Sequence, residues 1–156
     1  MMEQELAEKQ VAYGDEIILV NQQLELNAMT TLNKDSTAGV SVSGDGAWNT
    51  RGRTSLSGWY SVFGNQSLLC LAIHFMTLRC NKCDRKKEHS KEECNKNFEG
   101  SSKSMESKGA LICIKKIHRS GITFVREMVI DDDAPTAAIL KHKFRDIVKD
   151  KGQMPL

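Results

Sequence analysis

The sequence predicts an α/β fold built on one sheet, with helices flanking its last strand. Three observations carry that reading. Three β-prone stretches follow one another across residues 40–78, and an amphipathic helical pattern occupies 105–117. An apolar run at 122–130 then leads directly into a second helical pattern.

Residues 3–12 are good helix formers with a weak apolar stripe, and Gly14 is the expected stop. Across 15–32 the pattern is ambiguous. Ile17-Ile18-Leu19-Val20 suits a short strand or a buried helical turn, and periodicity does not decide. Residues 33–38 are polar and lead to Gly39, so 1–37 read as a helical and linker segment ahead of a domain at 38–156. Val40 and Val42 alternate with Ser41 and Ser43, the period of a strand, and the run ends in Gly44-Asp45-Gly46 with Asp45 on the serine face. Residues 52–56 read as a turn. Trp59-Tyr60-Ser61-Val62-Phe63 is β-prone and closes at Gly64-Asn65, a hairpin signal. The nearly continuous apolar run 68–78 suits a strand covered on both faces.

Residues 79–104 change character: rich in Lys, Glu, Asn, Ser and Cys, they lack any core-forming period and read as an excursion from the domain. A helix follows with Met105, Gly109, Ile112, Cys113 and Ile117 on one face, Ser102 or Ser104 as cap and Gly121 as stop. Residues 122–130 are apolar on both faces, as an interior strand is, and run into Asp131-Asp132-Asp133. A final helix is expected over 134–148, with Leu140, Phe144, Ile147 and Val148 on one face, stopping at 149–152. The order is β-β-β, insert, α, β, α. A right-handed crossover through the helix lays the fourth strand parallel to a neighbour. Beside the first strand, it would bring Asp45 near Asp131 and Asp133, as carboxylates sharing a hard divalent cation require.

Composition sets the outer limits. The chain has 156 residues, enough for one domain, and 40% apolar with 27% charged residues sustain a packed core. A net charge of +2 excludes a histone-like tail, so any nucleic-acid contact must come from local patches. The longest apolar run, 68–76, is broken by His74, which excludes a membrane span, and residues 1–9 resemble no secretion leader. Five cysteines, an odd number, read as reduced thiols of an intracellular protein.

The motifs divide into two chemistries. Cys80-x2-Cys83-x5-His89-x4-Cys94 offers three thiolates and one imidazole, a complete tetrahedral set for a structural Zn²⁺. Coincidence in a lysine-rich loop is the competing reading. Cys70, Cys113 and His74 fall in apolar elements and suit core packing; His118 and His142 have no nameable partner. Asp45 between glycines also suits an ordinary turn, and Asp133 also suits a helix cap with Pro135 in the first turn. The basic side chains Arg79, Lys82, Arg85, Lys86, Lys87 and Lys91 give the insert a phosphate-contacting character, diluted by Glu88, Glu92 and Glu93.

Together the motifs resemble a known family. Val42-Ser43-Gly44-Asp45-Gly46-Ala47-Trp48 followed by Arg51-Gly52-x-Thr54-Ser55-Leu56-x-Gly58 is similar to the start of the eukaryotic Mutator-like transposase domain. So are Cys80-x2-Cys83 with a His before Cys94, Asn97-Phe98-Glu99-Gly100-Ser101-Ser102 with Met105-Glu106, and Arg119-Ser120. Ile130-Asp131-Asp132-Asp133-Ala134-Pro135-Thr136 is similar to the family's acidic segment, with Asp132 and Ala134 departing from its usual Asp-Gly-Asp-Ser. The resemblance covers about residues 38–148. It implies a ribonuclease-H-like core of the Asp-Asp-Glu superfamily that cuts and joins DNA with two Mg²⁺ or Mn²⁺ ions. It also implies Asp45 as first metal carboxylate, Asp131 as second with Asp133 as fallback, DNA as partner and the nucleus as workplace. On this pattern the chain is expected to stop before the fifth strand and the helix that bears the third carboxylate, as an inactive fragment or domesticated copy of a transposable-element protein. The alternative is a zinc-containing nucleic-acid or protein interaction module without catalysis.

Overall fold

The computed structural model describes residues 2–33, 39–49, 56–130, 134–143 and 148–150. Its elements are α1 (Met2–Asn33), β1 (Val40–Trp48), β2 (Ser57–Gly64), β3 (Cys70–Thr77), α2 (Asn81–Asp84), α3 (Ser102–Ser120), β4 (Val125–Ile130), α4 (Ala134–Lys143) and β5 (Val148–Asp150). Four long strands and the three-residue β5 form one mixed sheet in the order β3-β2-β1-β4-β5. β1 pairs antiparallel with β2, and β2 with β3. β4 returns through α3 to lie parallel to β1, with Val42 opposite Met128 and Ser43 opposite Val129. The expected α/β order and the parallel placement of the fourth strand beside the first are therefore both found.

The core gathers Val40, Val42, Tyr60, Val62, Leu71, Met76 and Met128 of the sheet with Met105, Ala110, Cys113, Ile114 and Ile117 of α3. Ser101 caps α3 by accepting from the Ser104 N–H at 3.3 Å, rather than Ser102 or Ser104, and Gly121 closes it at φ 72°. Two glycines set how closely the layers approach. A Cβ on Gly109 would meet Met76 Cε and Tyr60 Cβ at 2.6 Å, so α3 lies almost directly on the sheet there. A Cβ on Gly44 would meet Tyr60 Oη at 2.7 Å, so the tyrosine ring crosses beneath β1 through that gap.

Several expectations are corrected. α1 runs through Gly14 to Asn33 instead of stopping at the glycine, and 17–20 belong to this helix. A helical glycine costs about 1 kcal/mol, and the docking of the second half of α1 offsets it. That docking joins Met29 and Leu26 to the core but is largely polar, so its apolar period is weak. Glu25 is fully buried and accepts from the Gln66 and Ser67 N–H groups at 3.1 and 2.7 Å. Gln22, 1% exposed, donates to the Leu71 carbonyl at 2.8 Å and accepts from Ser120 Oγ at 2.6 Å.

β1 continues through Gly44-Asp45-Gly46 to Trp48, because its ladder with β2 persists to Trp48 opposite Gly58. β3 is not covered on both faces: Phe75 is 61% exposed and meets half-exposed Trp59 at a centroid distance of 6.0 Å. The last helix is described from Ala134 to Lys143, Phe144 and Ile147 lie outside the described residues, and Val148–Asp150, expected to close that helix, forms a fifth strand. It pairs in parallel with β4, Asp150 opposite Ile130. The β-branched Val148 meets a free parallel edge there, and ladder pairing overrides the helical pattern. Asp150, expected at the far end of a helix, thus lies at the carboxyl-terminal edge of the parallel strands.

Candidate metal centre

The Cys/His cluster is built by short local elements. Cys80 is the N-cap residue of α2 and Cys83 lies within that turn, so CxxC folds both sulfurs to one side. The chain then turns through Lys86 at φ 52° and returns with His89 and Cys94. The four ligand atoms all lie within 4.8 Å of one another. Cys83 Sγ is 3.7 Å from Cys94 Sγ, and His89 Nε2 is 3.4 Å from Cys83 Sγ and 3.7 Å from Cys80 Sγ.

Those separations test the fit to zinc. Zn–S bonds of about 2.3 Å and a Zn–N bond of about 2.0–2.1 Å, set tetrahedrally, demand roughly 3.8 Å between sulfurs and 3.5 Å between sulfur and nitrogen. The cluster has the size of a zinc tetrahedron. The imidazole is also presented correctly. His89 Nδ1 lies 2.8 Å from the Lys87 carbonyl, and since a carbonyl only accepts, the ring proton sits on Nδ1 and Nε2 turns its lone pair to the sulfurs.

Electrostatics agree with the geometry. The backbone N–H groups of Cys83 and then Asn95, facing Cys80 Sγ outside strict capping geometry, hold that thiol down at about 6. Cys94 is lowered, first by His89, and His89 is raised, first by Cys94 and then by the Lys87 carbonyl. Cys83 is pushed up to about 11, first by the neighbouring Cys94 sulfur and then by burial. Without a cation, a proton shared among crowded sulfurs takes its place. Cys113, buried and donating to the Tyr60 carbonyl at 3.4 Å, is pushed up to about 12 by burial, and burial also raises half-buried Cys70. Cys113 is a core thiol, as the sequence suggested, whereas Cys70 lies outside the core cluster.

The cluster is tied to the sheet at one end. Asn97 Oδ1 accepts from the Thr77 N–H at 2.8 Å while its Nδ2 donates to the Phe75 carbonyl at 2.9 Å, and Phe98 enters the core. The ion pairs Arg79–Asp84 at 2.9 Å and Lys82–Glu93 at 2.8 Å brace the outside. Sequence reasoning missed Asn97 as an anchor and the Lys87 carbonyl as the group orienting His89; the backbone acceptor leaves no residue-type signal. His118, given no partner from sequence, accepts the Val125 N–H on Nε2 at 3.0 Å, and burial lowers its pKa.

The carboxylate edge is seen in part. Asp45 is exposed on β1, opposite Ser61 of β2. Asp131 and Asp133 lie outside the described residues, immediately after the end of β4 at Ile130. β3, antiparallel to β2, runs the same way as β1, so the metal cluster hangs from the sheet edge at which β1 ends.

The family model for the Mutator-like transposase matches residues 2–151, nearly the whole chain. The chain belongs to the Mutator-like transposase family. Comparison with curated proteins and with solved structures finds no match. The match to the transposase family takes in α1 as well as the sheet, beyond the 38–148 in which the sequence motifs lie. No helix among the described residues is long and apolar enough to cross a membrane.

Proposed function

We propose that this Mutator-like transposase domain is a ribonuclease-H-like, metal-dependent DNA-processing core braced by a structural Zn²⁺. Asp45 and Asp131 hold a Mg²⁺ or Mn²⁺ ion, with Asp133 the fallback, and Cys80, Cys83, His89 and Cys94 hold the zinc. The strand order 3-2-1-4-5 supports the fold assignment. The observation that carries the chemistry is the parallel β1–β4 ladder. Asp45 lies two residues beyond the Ser43–Val129 pair on β1, and Asp131 is the next residue in sequence after β4. Two carboxylates from distant parts of the chain then serve one edge of the sheet.

Bound there, such an ion supplies Lewis-acid polarisation of a phosphodiester and a nucleophilic water. The chain's own part is to present hard oxygen donors on strands whose register is fixed by backbone pairing. The zinc cluster has a different role: closed by four protein ligands, it orders residues 80–94 rather than reacting. On this reading the protein works in the nucleus.

The competing reading is a zinc-containing interaction module without catalysis, and one titration separates the two. Zinc-loaded full chain is titrated with Mn²⁺, followed by electron paramagnetic resonance of the free ion. Saturable binding that disappears in both Asp45→Asn and Asp131→Asn, with zinc content unchanged, supports the catalytic reading. Equal Mn²⁺ binding in wild type and both variants removes it and leaves the interaction module.

A further inference from the structure

The basic side chains of the metal-binding segment are not used up by the fold. Residues 79–96 carry seven basic side chains against four acidic ones. Three thiolates around Zn²⁺ leave one net negative charge, smaller than that surplus. Arg79 and Lys82 are spent on Asp84 and Glu93. Arg85, Lys86 and Lys87 are exposed and make no ion pair among the described residues. They are consecutive in the tight turn that leaves α2. Its backbone is pinned by Arg85 N–H to the Asn81 carbonyl at 3.2 Å, Lys86 N–H to the Cys83 carbonyl at 3.0 Å and Lys87 N–H to the Lys82 carbonyl at 2.9 Å.

The turn is coupled to the metal ligands at both ends. Cys83 supplies the carbonyl that holds Lys86, and the Lys87 carbonyl receives the His89 ring N–H at 2.8 Å. Closing the tetrahedron therefore fixes the backbone from which three cations project. The segment springs from the end of β3, at the sheet edge where β1 also ends.

We propose that the Arg85-Lys86-Lys87 turn is a clamp for the phosphate backbone of DNA, preorganised by the metal in the Cys/His cluster. This rests on the DNA-processing reading above and names the surface that holds the substrate. Three cations on a fixed turn contact phosphates whatever the base sequence, so they contribute affinity and salt dependence but no sequence preference. Preorganisation matters because ordering each long side chain's anchor beforehand lowers the entropy lost on binding.

The test measures duplex DNA binding by fluorescence anisotropy of the zinc-loaded full chain between 50 and 200 mM salt. Each phosphate contact steepens the slope of log affinity against log salt by about 0.9, so replacing all three cations by Ala should flatten it by about 2–3. Over that salt range the wild type should lose up to about 40-fold more affinity than the triple variant. The charge-keeping swap Arg85→Lys, Lys86→Arg, Lys87→Arg should restore most of the slope, and chelation of zinc should flatten it as the Ala variant does. Circular dichroism of the Ala variant should match wild type, since all three side chains are exposed. An Ala variant with the wild-type slope overturns the clamp while leaving the DNA reading intact. A loss confined to one DNA sequence overturns a backbone contact. No DNA binding by wild type overturns both.

Discussion

Removing zinc should dismantle residues 81–97 and leave the sheet standing. Cys80 is 3% exposed and Phe98 6%, but no residue between them is buried, so the segment has no apolar core of its own. Ordering its backbone costs conformational entropy at every residue. Against that stand two exposed, solvent-screened ion pairs and a few turn hydrogen bonds. A structural zinc, whose binding is worth about 10–16 kcal/mol net of the ordering it drives in small zinc-folded peptides, is the contribution that holds such a segment. Cys83→Ser removes one of four ligands. A proportionate share is about 2.5–4 kcal/mol, or roughly 60- to 700-fold weaker zinc binding. Competition against a chromophoric chelator reads the affinity, and trypsin reads the order of the segment at Lys86, Lys87 and Lys91. Chelated protein with undiminished trypsin resistance across 81–97, or a Cys83→Ser variant of wild-type affinity, would refute the reasoning.

The same site fixes a pH dependence. With no metal, Cys83 keeps its proton up to about 11, while Cys80 is already ionised above about 6. The filled site carries neither proton, so the metal-free form binds more protons and raising pH favours filling. Log zinc affinity should therefore rise by at least about one per pH unit between pH 7 and 10. A flat profile over 7–10 would contradict the assignment of the retained proton to Cys83.

Other consequences concern the scaffold. Gly109→Ala forces a methyl against Tyr60 Cβ, which is fixed to the backbone, and should destabilise by about 1–3 kcal/mol, read as a lower urea midpoint with unchanged m-value. Glu25→Ala removes the buried acceptor of the part-buried Gln66 and Ser67 N–H groups and should cost about 1–3 kcal/mol by the same measurement; a change below about 0.5 kcal/mol would show that water replaces the carboxylate. Asp45→Asn, exposed on β1, should shift the urea midpoint by less than about 0.5 kcal/mol equivalent while removing Mn²⁺ binding.

The parts of the fold that were legible are those whose pattern is written locally. Val40 and Val42, the apolar face of α3 and Gly121 each announce their element through period or backbone freedom, and each is found in place. The failures are non-local. α1 docks largely through Gln22 and Glu25, polar residues that satisfy backbone groups of β3 and of the β2–β3 turn, with Met29 and Leu26 its apolar contacts to the core, so hydrophobic periodicity registered the contact only weakly. Val148 was read as the end of a helix because residues 134–148 carry apolar residues at helical spacing; only the free edge of β4 makes it a strand.

The two candidate metal sites differ in the same way. The zinc set lies within residues 80–94, and one turn of helix with one tight turn suffices to bring four ligand atoms within 4.8 Å. Ligand chemistry and chain geometry are fixed there by the same short stretch, so spacing alone points to the site. Asp45 and Asp131 are far apart in sequence, and the proposal that they share an ion depends on the register of β4 against β1, which no spacing encodes. What the sequence supplied was the expectation that β4 returns beside β1 in parallel, and that pairing is present, with Ser43 opposite Val129. The glycines on either side of Asp45 sit where side chains crowd the strand: a Cβ on Gly44 would meet Tyr60 Oη at 2.7 Å, and one on Gly46 would meet Trp48 Cζ2 at 2.7 Å. The Gly-Asp-Gly segment is thus a closely packed strand rather than a turn, which sets Asp45 on a rigid element, as the proposed metal role requires.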